Sequence, residues 1–394
     1  MFKRISILIF IGIFLIACQT GKEDAKNFSD EYTKLTGKLR DLQLKVKSRD
    51  DYVAYDAEMK REYESLLKKY ENSPSRVEIE ILRSKLLLGL KKTAEAEQKI
   101  DKILAKNPGL ITGTEAKMVK VKILLQKEQY SEAHNLFKEI EAQVKDPYDL
   151  FEVWFYLGAE HEDNKIKEYY AKKFLNTKPI PDTHAKNRYV MYLFLSSIAK
   201  QEGDLEKARR ILNEGIADTK DERTKAVLVN SLAQIDYYGK EAFPISGGTW
   251  INSLPLELKD LKGQVVILSF WAPWCPSCRT LTPSLVDLYN ENKDKGFTII
   301  GYSRLYGTYL DDVEDIGKVN KEEELGHINK YLERKKVPYP IVIAEGMTDY
   351  ETYKIAGLPT LVCIDKKGNI VFTKIGAGDL PFVKGKIKQL LEEI

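Results

Sequence analysis

From Phe270 to Cys278 the chain reads Phe-Trp-Ala-Pro-Trp-Cys-Pro-Ser-Cys, and two cysteines with only Pro276 and Ser277 between them leave few folds open. Val265 to Trp271 is apolar on both faces, the pattern of a buried parallel strand. Pro273 interrupts it, and Cys275 falls where a helix would begin, with Pro276 at the first helical position. Residues three apart share a face of that first turn, so both sulfurs come within reach of each other and of a foreign disulfide. Cys275 caps the positive end of the helix dipole. A thiol with a pKa of about 8.5 is only ~3% ionised at pH 7, whereas a shift to about 7 makes it roughly half thiolate. Cys275 is therefore the expected nucleophile. Cys278, one turn further in and shielded, is the expected resolving thiol. A zinc site would need a second cysteine pair or suitably spaced histidines, and His134, His161, His184 and His327 do not supply one. No metal and no organic cofactor is expected.

Several features around the pair together resemble the thioredoxin superfamily, specifically the TlpA/ResA type of membrane-tethered thiol:disulfide oxidoreductase, over roughly residues 240 to 394. Trp274-Cys275-Pro276-Ser277-Cys278 matches the active-site motif, and Pro283 stands five residues on, like the family's helix-kinking proline. Gly357-Leu358-Pro359-Thr360 matches its cis-proline segment, and Leu256 to Gly263 its lead-in to the first core strand. The resemblance implies a redox disulfide Cys275-Cys278, a cis Pro359 facing the reactive sulfur, and substrate contacts at Trp274, Leu358 and Pro359. Its substrates would be protein disulfides, with a redox partner protein to restore the pair.

Two positions depart from the pattern. Ser269 stands where thioredoxins carry a buried acid, six residues before the first cysteine, and Leu281 stands where TlpA/ResA-like chains often carry glutamate. Serine can hydrogen-bond or hold a water but is no base near neutral pH. Which group takes the place of the acid is left open by the sequence. Cys363 lies in a strand-like run, Leu361 to Ile364, and is expected to be buried and inert.

The N-terminus reads as a leader: Lys3-Arg4, then a 12-residue apolar run from Ile5 to Ile16, too short for a stable span. Leu15-Ile16-Ala17-Cys18 resembles a bacterial lipobox, which implies acylation of Cys18 after removal of residues 1–17, with 18–30 as a lipidated tether. The expected address is a membrane-anchored lipoprotein facing away from the cytoplasm, on the periplasmic side or at the outer membrane, where disulfides persist. A net charge of +3, near +1 without Lys3 and Arg4, gives no footprint for nucleic acid.

From about Asp30 to Gly239 the pattern is helical, rich in Lys, Glu, Leu and Ala. Ala96, Ala133, Ala171 and Ala208 recur at spacings of 37, 38 and 37 residues in similar settings, and Pro108, Pro147 and Pro179 follow the first three. Each period holds two helices and a turn, which resembles tetratricopeptide-like repeats, though the consensus tryptophan and glycine are mostly missing. Small alanines would let paired helices approach closely. Tyr148, Tyr156, Tyr169, Tyr170, Tyr189 and Tyr192 are candidates to line a groove.

The expected architecture is thus α plus α/β: an all-α helical-hairpin solenoid, residues 31–239, followed by a thioredoxin-like α/β domain, residues 240–394. The solenoid serves either to bind a partner or to space the catalytic domain from the membrane. Arg304 to Asn320 reads as an insertion at the strand edge that carries the cysteines, with Asp311, Asp312, Glu314 and Asp315 forming an acidic rim. The expected function is a membrane-anchored thiol:disulfide oxidoreductase, in the reductase direction by resemblance. Two alternatives stand beside it: a scaffold with a weakly active thioredoxin-like module, and a peroxiredoxin-like peroxidase, against which Ala272 replaces the threonine such enzymes carry three residues before their cysteine.

Overall fold

The computed structural model of the chain describes residues 2–378 and 380–393, and side chains from residue 22 onward except residue 49. Lys3, Arg4, the apolar run and Cys18 lie outside the described side chains. No described helix is long and apolar enough to cross a membrane. Contact density divides the chain into two units, residues 1–191 and 192–394.

The first unit is all helical. Its elements are α1 (Phe2–Leu44), α2 (Arg49–Lys69), α3 (Val77–Gly89), α4 (Thr93–Leu104), α5 (Leu110–Gln126), α6 (Tyr130–Ile140), α7 (Pro147–Glu160), α8 (Asn164–Asn176) and the short α9 (Asp182–Ala185). α3 pairs with α4, α5 with α6 and α7 with α8, and α5 also packs on α3 and α7, so the hairpins stack. Ala96, Ala133 and Ala171, on the second helix of each hairpin, are fully buried. Their spacing is the stacking period. α7 and α8 approach closely, and a Cβ on Gly158 would sit 2.9 Å from the backbone nitrogen of Ala171. Asp163 works as a cap: its carboxylate accepts from the N–H groups of Lys165 and Ile166 at the start of α8. The segment read as a tether, 18–30, continues within α1, and Phe28 is buried there, stacked on Tyr70 with ring centroids 4.3 Å apart. An apolar anchor inside a polar run gives that helix a packing face.

His134, His161 and His184 all lie in this unit, and burial holds each below the ordinary imidazole pKa. His161 is 2% exposed and its Nδ1 accepts from the Asp163 N–H at 2.9 Å, so the ring is kept neutral. Because the folded pKa is depressed, the unfolded chain binds more protons below about pH 6.5. Stability is fully present above that pH and is lost as pH falls, by up to ~1.4 kcal/mol per pH unit for one neutral-held histidine. Thermal melts followed by helical circular dichroism should show the fall between about pH 6.5 and 5. A His161→Asn variant with the same acid slope would contradict this.

The boundary between the units falls within α10 (Arg188–Gln201), and the second unit continues through α11 (Leu205–Asp218) and α12 (Glu222–Ile235). Ala208, the fourth alanine of the series, is buried on α11. Then come β1 (Thr249–Ile251), β2 (Val265–Phe270), α13 (Pro276–Asn292), β3 (Phe297–Arg304), β4 (Thr308–Leu310), β5 (Asp315–Lys318) and α14 (Lys321–Arg334). β6 (Ile341–Ala344), α15 (Thr348–Thr352), β7 (Thr360–Ile364), β8 (Ile370–Ile375) and α16 (Leu380–Glu392) complete it. Six strands form one sheet in the order β1-β6-β3-β2-β7-β8. β2, β3 and β6 are parallel neighbours, while β7, β8 and β1 join antiparallel.

All six residues of β2 are buried, as its apolar run predicts for a central strand covered on both faces. Val265 and Ile267 face a core built with α13, α14 and α16, whereas Val266, Leu268 and Phe270 face one built with α15 and the segment before β1. Helical periodicity stops near Tyr238-Gly239 as expected, but compactness does not break there. Gln234 at the end of α12 donates its amide to the carbonyls of Tyr353 and Lys354, and Tyr237 and Tyr238 bond to Thr352 and Thr373. These polar side chains bind α12 to the sheet domain. Periodicity in the sequence reports helix, not which neighbour a helix packs on.

Candidate active site

β2 delivers the chain to Cys275, which is the N-cap of α13, and Pro276 opens the helix. The Cys278 N–H donates to Cys275 Sγ at 3.2 Å, and the Arg279 N–H donates to the Cys275 carbonyl at 3.1 Å. The Cys275 sulfur thus occupies the position where a capping side chain takes a free backbone N–H. Cys275 and Cys278 are joined as a disulfide with Cα atoms 5.3 Å apart. Each is 3% exposed, so shielding applies to both in this oxidised form rather than to Cys278 alone. The Arg279 guanidinium closes the turn by donating to the Pro273 carbonyl. Pro283 lies inside α13.

The Leu358-Pro359 bond is cis, as the segment's resemblance implied; the Lys178-Pro179 bond, in the first unit, is cis as well. Pro359 is brought beside Cys278, and both line a cavity of about 10 Å³ under the disulfide. Ser269 and Leu281, which stand where related chains carry an acid, line the same cavity. Trp271, Thr282, Tyr331 and Tyr339 also border it. The two rings Trp271 and Tyr331 stack with centroids 5.5 Å apart and planes 20° from parallel. Gly301, paired with Ser269 across the sheet, leaves room for Ile341 and Trp271: a Cβ there would lie 2.3 Å from Ile341 Cδ1 and 3.2 Å from Trp271 Nε1. Tyr331 was legible in sequence only as a core position of α14, since periodicity does not tell where a hydroxyl points.

On the outer side, Trp274 is 39% exposed and meets Tyr306 edge-on at 5.4 Å. The Arg304 guanidinium lies over the Tyr306 ring at 4.1 Å. Tyr306 is in turn placed by Glu324, a buried carboxylate that accepts from the N–H groups of Tyr306 and Gly307 at 2.8 Å each. The sequence marks Arg304 and Tyr306 only as part of the insertion near the cysteines, and Glu324 not at all. The charge of Glu324, 18 residues away in sequence, gives no hint that it anchors the loop beside the cysteines.

The insertion is a two-stranded hairpin, β4 with β5. Its acids do not form an open acidic rim. The Asp311 side chain is buried, accepting from Tyr309 and the N–H groups of Val313 and Glu314 and pairing with Arg334. Asp312 pairs with Lys335, and Glu314 with His327 at 2.8 Å. The bases come from α14 and its C-cap residue Lys335, so three of the four acids are neutralised against the next helix. Cys363 is fully buried, and burial pushes its thiol pKa well up, consistent with an inert core side chain.

A mixed sheet with helices on both faces, a bonded Cys-X-X-Cys pair capping the helix after its central strand, and a cis-proline beside that pair define a thioredoxin-like dithiol protein. The model of the AhpC/TSA family matches residues 251–373. The thiol-disulfide oxidoreductase ResA of Bacillus anthracis is 34% identical over 152 residues, 39% of this chain and 78% of its own length. ResA of Halalkalibacterium halodurans is 31% identical over 138 residues, 35% of this chain and 64% of its own. Among solved structures, the thioredoxin domain of a thiol-disulfide oxidoreductase from Bacteroides vulgatus is 27% identical, covering 39% of this chain and 98% of that one, with a TM-score of 0.32. The chain belongs, through this C-terminal region, to the ResA family of thiol-disulfide oxidoreductases, and it is a thiol:disulfide oxidoreductase.

Proposed function

We propose that the protein works as a dithiol reductase of protein disulfides in which Cys275 attacks and Cys278 resolves. The observation that carries this is the N-cap position of Cys275: its sulfur takes the Cys278 N–H at the positive end of a 17-residue helix, which stabilises a thiolate. In the forward step Cys275 sulfur forms a bond to one substrate sulfur and the other leaves as thiolate. Cys278 then displaces the substrate, and the pair ends as the disulfide seen here. Two electrons pass from the dithiol to the substrate, so a separate redox protein must restore the thiols. Trp274, Leu358 and Pro359, joined by Tyr306, form the surface offered to the substrate chain.

The protein is further proposed to act outside the cytoplasm, held at a bacterial membrane by acylation at Cys18; the lipobox pattern supports this. The helical hairpins, read as tetratricopeptide-like repeats over 31–239, are proposed as the partner-binding part. Within the first unit a cleft of about 660 Å³ is lined by Tyr32, Tyr55, Tyr63, Tyr148 and Tyr156 among others. Of the six tyrosines singled out in sequence Tyr148 and Tyr156 line it; Tyr170 and Tyr192 are buried in the cores, Tyr169 lies exposed against Lys173, and Tyr189 is not part of its wall.

Reduction of insulin by the prereduced full-length protein tests the reading. Turnover well above the dithiothreitol background is expected. A protein that neither reduces insulin nor closes its dithiol on exposure to oxidised glutathione would favour the scaffold alternative instead.

A further inference from the structure

The cavity beside the disulfide is lined by Cys278, Trp271 and Tyr331, and the indole N–H of Trp271, 6% exposed, and the hydroxyl of Tyr331, fully buried, make no well-formed hydrogen bond to the protein, the Thr282 side chain being the polar neighbour of the Tyr331 hydroxyl. An unpaired buried donor costs about 1–3 kcal/mol, so two in one place call for a common partner. The space, about 10 Å³, is what one water molecule needs. The remaining polar side chains on its wall are Ser269, Thr282 and Tyr339, of which Thr282 donates to the Cys278 carbonyl at 2.8 Å.

We infer that a single buried water, held by the Trp271 N–H and the Tyr331 hydroxyl, donates a hydrogen bond to Cys278 Sγ and so favours its thiolate during resolution. The directions fit. Indole can only donate, and a water that accepts from two donors has both its own hydrogens free, one for the sulfur and one for an oxygen such as that of Ser269. Hydrogen bonds to the charged form lower a thiol pKa, which is what a buried resolving cysteine lacks when no acid stands nearby to take its proton. Tyr331 itself does not serve as base, since burial raises its own pKa. In the step, the Cys278 proton leaves to solvent, Cys278 sulfur bonds to Cys275 sulfur, and the Cys275–substrate bond breaks with the electron pair going to the substrate thiolate. The other titratable or charged groups near this site are Cys275 and Tyr339, with Asp311, Asp312 and Arg279 acting on Tyr331 through space. Tyr331 is thus a positioning residue, acting through the water.

This inference rests on the reading of Cys278 as the resolving thiol, and its test does not depend on turnover. Carbon-13 NMR of cysteine-labelled, reduced full-length protein follows the Cys278 Cβ shift with pH in wild type and in Tyr331→Phe, which keeps the ring. The Cys278 titration is expected to move up by about one unit, and collapse of the mixed disulfide at neutral pH to slow roughly tenfold and recover at higher pH. A hydroxyl that matters only for packing would lower the melting temperature and leave the titration where it is, which overturns the proposal. If wild type fails to reduce insulin while Tyr331→Phe still shifts the titration, it is the functional reading that falls and the water that stands.

Discussion

Cys275→Ser is expected to lose disulfide exchange by roughly a thousandfold or more, about 4 kcal/mol of transition-state stabilisation, whereas Cys278→Ser is expected to attack normally and then stall. The asymmetry follows from position on α13. Only Cys275 takes the N-cap place, where the dipole and the Cys278 N–H act together on one sulfur. Cys278 lies inside the first turn, against Leu281, Leu285 and the ring of Tyr331, where a charge is desolvated. The Cys278→Ser protein should therefore accumulate a covalent adduct with a model disulfide peptide, visible by intact mass under non-reducing conditions and released by dithiothreitol. An adduct on the Cys275→Ser protein of equal yield would reverse the two roles.

How far the sequence carried can be judged at three places. β2 and the cysteine turn were legible because local chemistry decides them: an apolar run with buried faces, a proline break, and a proline at the first helical position. The repeat period was legible because close helix packing demands small residues at fixed intervals, and the buried Ala96, Ala133 and Ala171 meet that demand. Partnership across long sequence gaps was not. α12 lies on the sheet domain through Gln234, Tyr237 and Tyr238, and nothing in those residues distinguishes them from the surface of one more repeat. The same limit hid Glu324, whose carboxylate takes the backbone N–H groups of Tyr306 and Gly307, and Tyr331, whose ring stacks on the distant Trp271, so the wall that faces Cys278 and the loop that seats Tyr306 emerged only in three dimensions.

The insertion supplies the other large effect. Four acidic residues in five positions read as a solvated rim, yet the Asp311 carboxylate is buried, held by the Tyr309 hydroxyl, two backbone N–H groups and Arg334. Burial pushes its pKa upward, but those four donors outweigh it, and the net shift is below the ordinary carboxylate value. Asp311→Ala leaves the Tyr309 hydroxyl and the turn N–H groups without an acceptor and Arg334 without its counter-ion, a loss of about 3–5 kcal/mol if the hairpin stays folded. Because the depressed pKa belongs to the folded state, the wild-type contribution is fully present above about pH 4 and is lost as pH falls through that value and below it. Asp311→Ala should thus melt well below wild type at neutral pH and lose part of its difference from wild type in strong acid, while Asp312→Ala, whose partner Lys335 is reached at the surface, should change stability by less than about 1 kcal/mol. Urea denaturation of both variants at neutral and acid pH measures this. Equal effects from the two aspartates would mean that the insertion is not anchored through Asp311 at all.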